Sequence, residues 1–347
     1  MRIESNEIDE SQAPEEKKII ELARERFKLA EEAESDNRKL AEDDLRFSSG
    51  DQWDDKVKRE RDLDGRPCLV INRMPQFIRQ ITNDQRKNRP AIRVSPVDDN
   101  ADVDTAKILQ GLIRHIEYNS SADLAYDTAF DGAVRKGIGY FRVITDYSDP
   151  RSFQQEILIK RIRNSFSVYV DPHAKEPDGS DLEWGFVFEE VSKESFKGLY
   201  PDAKMSMMED WKSIGDDAPG WATKDTCRIA EYFFKEWKTI KLFQLSDGSV
   251  FAEDEMPSEL PLGLSIVNER ETRDYDIRWL KINGCEVLEE TTWPGRYIPI
   301  IPVIGEELDI DGKVILEGVI RHAKDSQKML NYWTSTCLLY TSDAADE

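Results

Sequence analysis

The sequence predicts an α+β protein in which amphipathic helices come first and antiparallel strands follow. Three observations support this prediction. Apolar residues recur at three- and four-residue steps through much of residues 14–136, and short alternating stretches with turn residues between them fill residues 140–316. An amphipathic helical pattern returns after Gly318. The 347 residues are enough for one large domain or two ordinary ones.

The composition excludes several classes of protein. The net charge of −22 repels nucleic acid as a whole, so DNA is either irrelevant or passes nearby without being held. The four cysteines form no CxxC pair, which predicts neither a disulfide framework nor a zinc site. No apolar run approaches the ~18 residues of a membrane span and no leader is recognisable, so we expect a soluble protein without a membrane partner.

The N-terminal part begins with an acidic stretch, residues 1–14, that we expect to be disordered. A long helix with a narrow apolar stripe follows, and it must lie along either its own chain or a neighbouring copy. Ser48-Ser49-Gly50 ends this helix, and Trp53 is expected to anchor the turn. The stripe consists of Ile20, Ala23, Phe27, Ala30, Ala41 and Leu45.

Residues 73–93 are a basic island in this acidic chain, with six basic residues against Asp84. Two explanations stay open. The island can form salt bridges within or between subunits, or it can face phosphates, although Phe77 is its one aromatic residue and single-strand binders interleave several. The basic residues are Arg73, Arg79, Arg86, Lys87, Arg89 and Arg93.

Two further helices are predicted before the strands. The first begins at Asp102, and the second spans residues 122–136 with alanines that favour close packing. Gly137-Ile138-Gly139 follows a helix and opens a strand, the reverse of the order in a phosphate loop, so we interpret it as a helix stop and turn. The buried stripe of the first helix is expected to be Ala106, Leu109, Leu112, Ile113 and Ile116.

The strand-rich part contains two strong turn signals. Asn283-Gly284 predicts a hairpin, and Asp309-Ile310-Asp311-Gly312 predicts a hairpin tip. Residues 298–305, with two prolines, are expected to be an extended connector and not a central strand. The predicted strands are 140–144, 156–162, 167–170, 184–190, 229–237 paired with 239–245, and 276–282 paired with 285–289.

No residue pattern indicates chemistry. The three histidines are far apart in sequence, and no nucleophile, metal cluster or phosphate loop is evident, so we predict no catalytic residue, no metal ligand and no cofactor. Two rival functions remain open: a DNA-binding module that uses residues 73–93, and a carboxylate-metal nuclease or hydrolase that uses some of the 70 acids.

Five stretches, in this order and spacing, resemble the N-terminal half of a podovirus-type portal protein, the head-to-tail connector of short-tailed phages. They are Phe47–Trp53, Asn72–Arg93, Phe130–Tyr147, Ile229–Phe233 and Ile298–Trp333. The resemblance implies a homo-oligomeric ring, typically a dodecamer, in the virion, through which double-stranded DNA is packaged and ejected while weakly held. It implies no active site, assembly in the bacterial host cytoplasm, and terminase, capsid and tail adaptor proteins as partners.

The resemblance also implies a domain layout. Residues 15–316 would form a wing-like α/β domain and residues 317–336 the first stem helix. Residues 337–347 resemble adapter read-through at the end of a truncated gene, so the clip, second stem helix and crown of the family are expected to be missing. The assembly candidates are Trp53, Phe77, Arg79, Arg86 and Arg89, and the channel-side candidates are Arg321, Lys324 and Lys328.

Overall fold

The described part of the chain is α+β, as predicted, with helices first, antiparallel strand pairs next and a helix last. The computed structural model describes residues 13–96, 102–201, 203, 226–246, 248–253, 256, 265–283 and 286–346. The helices are α1 Ala13–Ser49, α2 Asp55–Leu63, α3 Met74–Lys87, α4 Val103–Asn119, α5 Ala122–Lys136, α6 Lys193–Leu199 and α7 Val319–Asp346. The strands are β1 Ile138–Tyr147, β2 Gln155–Arg161, β3 Val168–Val170, β4 Trp184–Ser192, β5 Thr226–Leu245, β6 Val250–Ala252, β7 Ile266–Ile282, β8 Val287–Trp293, β9 Ile300–Ile304, β10 Glu306–Ile310 and β11 Lys313–Glu317.

The chain divides into two compact units. The first contains residues up to Ala30, Tyr169–Ala174 and Asp181–Ile298, and the second contains the remainder. Helix α1 contributes residues to both. Most of the N-terminal segment that was expected to be disordered, residues 1–12, lies outside the described residues, and α1 begins at Ala13.

The first unit is built on a sheet with the strand order β3-β4-β5-β7-β8, in which β6 also pairs with β5. The first part of α1 covers this sheet with Ala23, Phe27 and Ala30. The ring of Phe27 meets those of Tyr169 and Phe188 edge-on, with centroids 4.7 and 5.0 Å away. Because burying a phenylalanine stabilises by roughly 2–3 kcal/mol, this contact holds the helix to its own chain. Of the two alternatives for α1, the structure shows the first.

Two predicted hairpins lie in the first unit, and one of them is wrong while the other is confirmed. The predicted pairing of 229–237 with 239–245 is wrong, since β5 is one 20-residue strand that pairs with β7. No glycine, proline, asparagine or aspartate stands at Lys238 to turn the chain. The hairpin predicted at Asn283-Gly284 is confirmed by the antiparallel pairing of β7 with β8, although Gly284 itself lies outside the described residues.

The second unit contains a three-stranded sheet, β2-β1-β9, with α5 packed on β1. Gly137 ends α5 with φ at +88°, so the predicted helix stop is confirmed. A Cβ on Gly139 would collide with the backbone of Ala129, so close packing of α5 depends on this glycine. The stretch predicted as a mere connector contains the edge strand β9, where Pro302 lies opposite Tyr140 and the missing N–H is tolerated.

The prediction for helix α4 is wrong, whereas the prediction for the β10–β11 ribbon is confirmed. The stripe expected to be buried on α4 is not, because Leu109 and Leu112 are 45% and 51% exposed. The predicted hairpin tip between β10 and β11 is confirmed, with Asp311 and Gly312 at φ values of 54° and 80°.

Helix α7 runs further than expected. It continues to Asp346, beyond the predicted end at residue 336, because no glycine or proline follows Gly318. The hydroxyl of Thr336 donates to the carbonyl of Tyr332, one turn earlier, and stays compatible with the helix. The read-through origin of residues 337–347 stays a prediction. Among the described residues, no helix combines the length and the apolar character that crossing a bilayer requires.

Candidate functional site

An extended segment, residues 67–73, lies along α7 in the second unit. Two residues of extended chain rise by about 6.6 Å, and four residues of helix by about 6 Å, so the two repeats nearly match. Every second backbone N–H can therefore meet a side chain on every fourth residue of α7. The bonds run from Leu69 N to Ser335 Oγ at 3.0 Å, from Ile71 N to Asn331 Oδ1 at 2.9 Å and from Arg73 N to Gln327 Oε1 at 3.2 Å.

Hydrogen bonds from Asn331, through Gln52 and Asn72, connect these side chains to the end of α1. Asn331 Nδ2 donates to Gln52 Oε1 at 2.7 Å, and Gln52 Nε2 donates to Phe47 O at 3.1 Å and to Asn72 Oδ1 at 2.9 Å. Asn72 Nδ2 in turn donates to Ser48 O at 2.8 Å. We call Gln52, Asn72, Gln327, Asn331 and Ser335 the polar ladder. All but Asn72 are buried, and buried amides are stable only when bonded in this way.

Trp53 anchors the turn after α1, as the sequence predicts. Its Nε1 donates to Leu69 O at 2.9 Å, and the guanidinium of Arg61 lies 5.2 Å from the ring centroid. Arg61 also donates to Pro67 O at 3.0 Å, so the turn and the extended segment are held together. The part of Trp53 in assembly stays a prediction.

The beginning of α7 is tied to α1 by an ion cluster around Asp44. This carboxylate is fully buried, and it lies 2.9 Å from Arg321 Nη2 and 2.7 Å from Lys324 Nζ. Arg321 also contacts Glu317 at 3.2 Å, and Lys324 contacts Asp43. A buried carboxylate needs such partners, because an unpaired charge in the interior is strongly destabilising.

The ion cluster bears on the three channel-side candidates. The side chains of Arg321 and Lys324 are only 15% and 12% exposed, and their charges are already neutralised by acids of the same chain. The third candidate, Lys328, is exposed, with Nζ 6.0 Å from the ring centroid of Phe47. Of the three, Lys328 alone is open to solvent in this chain, and its position relative to a channel stays a prediction.

The basic island uses two of its cations within the chain. Arg86 Nε lies 3.0 Å from Asp127 on α5, and Arg89 pairs with both Asp127, at 2.9 Å, and Asp123. The salt-bridge explanation is thus confirmed for these two residues. Phe77 and Arg79 lie exposed on α3, with 47% of Phe77 accessible. The structure therefore brings Arg86 and Arg89 together at Asp127 of α5, and leaves Phe77 and Arg79 on the surface.

Lys136, at the end of α5, is a buried cation. Its Nζ lies 4.6 Å from the ring centroid of Phe166. Burial, assisted by the nearby charge of Arg38 and opposed by Asp131, lowers the pKa of Lys136 to about 8. The ammonium is charged at neutral pH at a cost in solvation, so this lysine weakens the second unit.

Comparison with known proteins identifies the family. Residues 24–347 match the sequence model described as Phage P22-like portal protein. The chain belongs to this family. It is similar to the portal protein of Acyrthosiphon pisum secondary endosymbiont phage 1, with 29% identity over 307 residues that cover 82% of this chain. Those residues cover 42% of that relative, so the chain spans less than half of its length. The predicted resemblance is confirmed.

Sequence reasoning missed the polar ladder and the burial of Asp44. Apolar residues of α7 such as Met329 and Trp333 stand out in the sequence, yet they are 62% and 60% exposed. From Gln327 onward the buried stripe of α7 is polar instead, whereas Ile320 in its first turn is buried among apolar residues. Its signal was present as Gln327, Asn331 and Ser335 at four-residue intervals, but a polar stripe ordinarily indicates a solvated face.

Proposed function

We propose that this chain is the N-terminal part of a structural portal protein, whose copies form a ring at the phage capsid vertex for packaging and ejection of double-stranded DNA. A dodecamer, with terminase, capsid and tail adaptor proteins as partners and assembly in the host cytoplasm, belongs to the same proposal. The same proposal assigns no catalytic role to any residue. The net charge of −22 supports a conduit, since a ring that gripped phosphates with many cations would slow DNA movement.

The observation that carries the proposal is the orientation of α7. Its polar stripe faces its own chain, and its large apolar side chains point outward: Met329, Leu330, Tyr332 and Trp333. Exposed apolar clusters of this kind are ordinarily covered by another protein surface. A ring places a copy of the same chain beside each α7, so the exposed face gains a partner on assembly.

The rival functions have weaker support. A DNA-binding module would use residues 73–93, but Arg86 and Arg89 already bind Asp127, which leaves less charge for phosphates. The carboxylate-metal hydrolase has no observation of its own in its favour, and the family supports a structural role.

Negative-stain microscopy of the intact gene product tests the proposal. Rings are expected, and replacing Trp333 by Glu should release single subunits with unchanged circular dichroism. Leu63→Glu is the matched control, since it adds the same charge at a leucine that is 88% exposed on α2, outside α7. An intact product that stays a single subunit under all conditions, or that turns over a substrate unaided, would contradict the proposal. If Trp333→Glu still forms rings, the proposed contact of α7 between subunits is wrong and the ring proposal itself stands.

A further inference from the structure

A separate cluster of donor atoms lies where the β10–β11 ribbon meets α7. Glu306 and Glu317 are directly opposite each other in the ribbon. His322, in the first turn of α7, places Nε2 3.2 Å from Glu306 Oε2 and 3.3 Å from Glu317 Oε2. One nitrogen and two carboxylate oxygens thus lie within 4.8 Å of one another.

Protein groups alone satisfy this cluster poorly. Like charges directly opposite each other in a β-ribbon are destabilising. A neutral imidazole offers at most one proton at Nε2, so it cannot donate fully to both carboxylates. Arg321 compensates part of the charge, because its Nη1 lies 3.2 Å from Glu317 Oε1, the oxygen that points away from His322. Glu306 and the second oxygen of Glu317 are left facing one imidazole nitrogen.

The spacing fits a tetrahedral metal ion. Nitrogen and oxygen ligands bind Zn²⁺ at about 2.0–2.2 Å, which places neighbouring donors of a tetrahedron roughly 3.3–3.6 Å apart. The two observed nitrogen–oxygen distances, 3.2 and 3.3 Å, lie just below and at the short end of this range. The donor set is mixed and includes an imidazole, which favours Zn²⁺ or Co²⁺ over Mg²⁺ and Ca²⁺. Glu306 and His322 are 66% and 56% exposed, so a fourth position is open to water.

We propose that Glu306, Glu317 and His322 form a binding site for a divalent transition-metal cation, with Zn²⁺ as the reference ion. The ion would join both strands of the ribbon to the first turn of α7. Arg321 holds Glu317 in place for it, as groups that orient metal ligands commonly do. The site is independent of ring formation, because all three ligands belong to one chain.

The test uses the 347-residue chain after treatment with a chelator. Calorimetric titration with ZnCl₂ is expected to show one site per chain, and MgCl₂ no measurable binding at the same concentration. Co²⁺ should give the intense visible absorption of a tetrahedral complex without a thiolate band, which separates this site from the cysteines. Glu306→Gln and His322→Gln should each weaken Zn²⁺ affinity at least about tenfold.

The controls apply the same changes elsewhere. Glu307→Gln alters the next residue of β10, whose side chain points to the other face of the ribbon, and His173→Gln removes a histidine of the first unit. Both should leave affinity unchanged. Without metal, Glu306→Gln should raise Tm by removing a repulsion, and Zn²⁺ should no longer raise it further. A pale octahedral Co²⁺ spectrum, an equal loss with Glu307→Gln, or a lower Tm for metal-free Glu306→Gln would overturn the proposal. If a variant fails to fold, the Co²⁺ spectrum of the unsubstituted chain still tests the proposal.

Discussion

Replacing Gly139 by alanine tests the packing of α5 on β1 most directly. A Cβ built on Gly139 lies 2.8 Å from Cα of Ala129 and closer still to the carbonyl group of that residue. Carbon atoms in proteins approach to about 3.5 Å, so the helix and strand must separate by more than about 1 Å to clear the carbonyl group of Ala129. All the atoms in the way belong to the backbone, and no side-chain rotation can relieve the contact.

The expected loss in the free energy of unfolding depends on the packing that this separation disrupts. Ala125, Ala129 and Ala133 are all buried on the packed face of α5, so moving the helix opens gaps along the whole contact. Overpacking a tight core costs about 1–3 kcal/mol, and a backbone collision belongs at the upper end, so we expect a loss of about 3 kcal/mol. The matched control is Gly111→Ala in α4, where a Cβ meets no atom within 4 Å. There the helix should gain about 0.5–1 kcal/mol.

The assay is urea unfolding followed by circular dichroism. Hydrogen exchange over residues 122–147 locates the effect in the second unit, because the chain contains two units whose transitions need not coincide. Gly139→Ala should lower the free energy of unfolding and speed exchange in this stretch, whereas Gly111→Ala should do neither. If Gly139→Ala lies within about 0.5 kcal/mol of the unsubstituted chain, the close approach of α5 to β1 is refuted.

Three further predictions concern side chains of the second unit, each measured by urea unfolding. Asn331→Ala leaves the part-buried backbone N–H of Ile71 and the buried Oε1 of Gln52 without their partner and should cost about 3 kcal/mol. Ser326→Ala, on the exposed face of α7, should change the free energy of unfolding by less than about 0.5 kcal/mol. Lys136 has a folded pKa of about 8, below its unfolded value, so the unfolded state binds more protons between the two values and stability should rise with pH above 8. Lys136→Met should therefore raise the free energy of unfolding by up to about 3 kcal/mol at pH 7. At pH 9.5 the increase should be about 2 kcal/mol smaller, and an increase that does not change with pH would contradict the burial effect. Arg89→Ala should cost about 1 kcal/mol by uncovering Asp127, and no change would make this pair a surface contact without energetic value.

Local signals in the sequence predicted local structure well. Asn283-Gly284 predicted the β7–β8 hairpin and Gly137 predicted the end of α5, because each turn requires a backbone conformation that few residues adopt. Ser192, at the start of α6, is a cap of the same local kind, since its hydroxyl accepts from the backbone N–H of Ser195. Such features depend on neighbours in the chain, so a single sequence is sufficient to find them.

The candidate site was harder to predict because its energetics depend on distant partners. Asp44 and Arg321 are separated by 277 positions, and neither residue type indicates burial. Pattern reading assigns apolar residues to the interior, and this assumption failed in both directions. Leu112 on α4 is half exposed, whereas Asn331 on α7 is buried. A polar residue is buried only where another segment supplies its hydrogen bonds, and the sequence does not show which segment arrives.

The polar ladder has a consequence that an apolar contact would lack. Apolar side chains have no direction, so a helix held by them can slide along an extended segment at little cost. In the ladder, a slip of α7 by four residues, about 6 Å, would leave a polar side chain at one end and a backbone N–H at the other without a partner. Each unpaired buried group costs about 1–3 kcal/mol, so the observed register of α7 against residues 67–73 is strongly preferred. The apolar face that includes Trp333 is thereby held outward in one fixed position, which the proposed ring would need in order to repeat the same contact between copies.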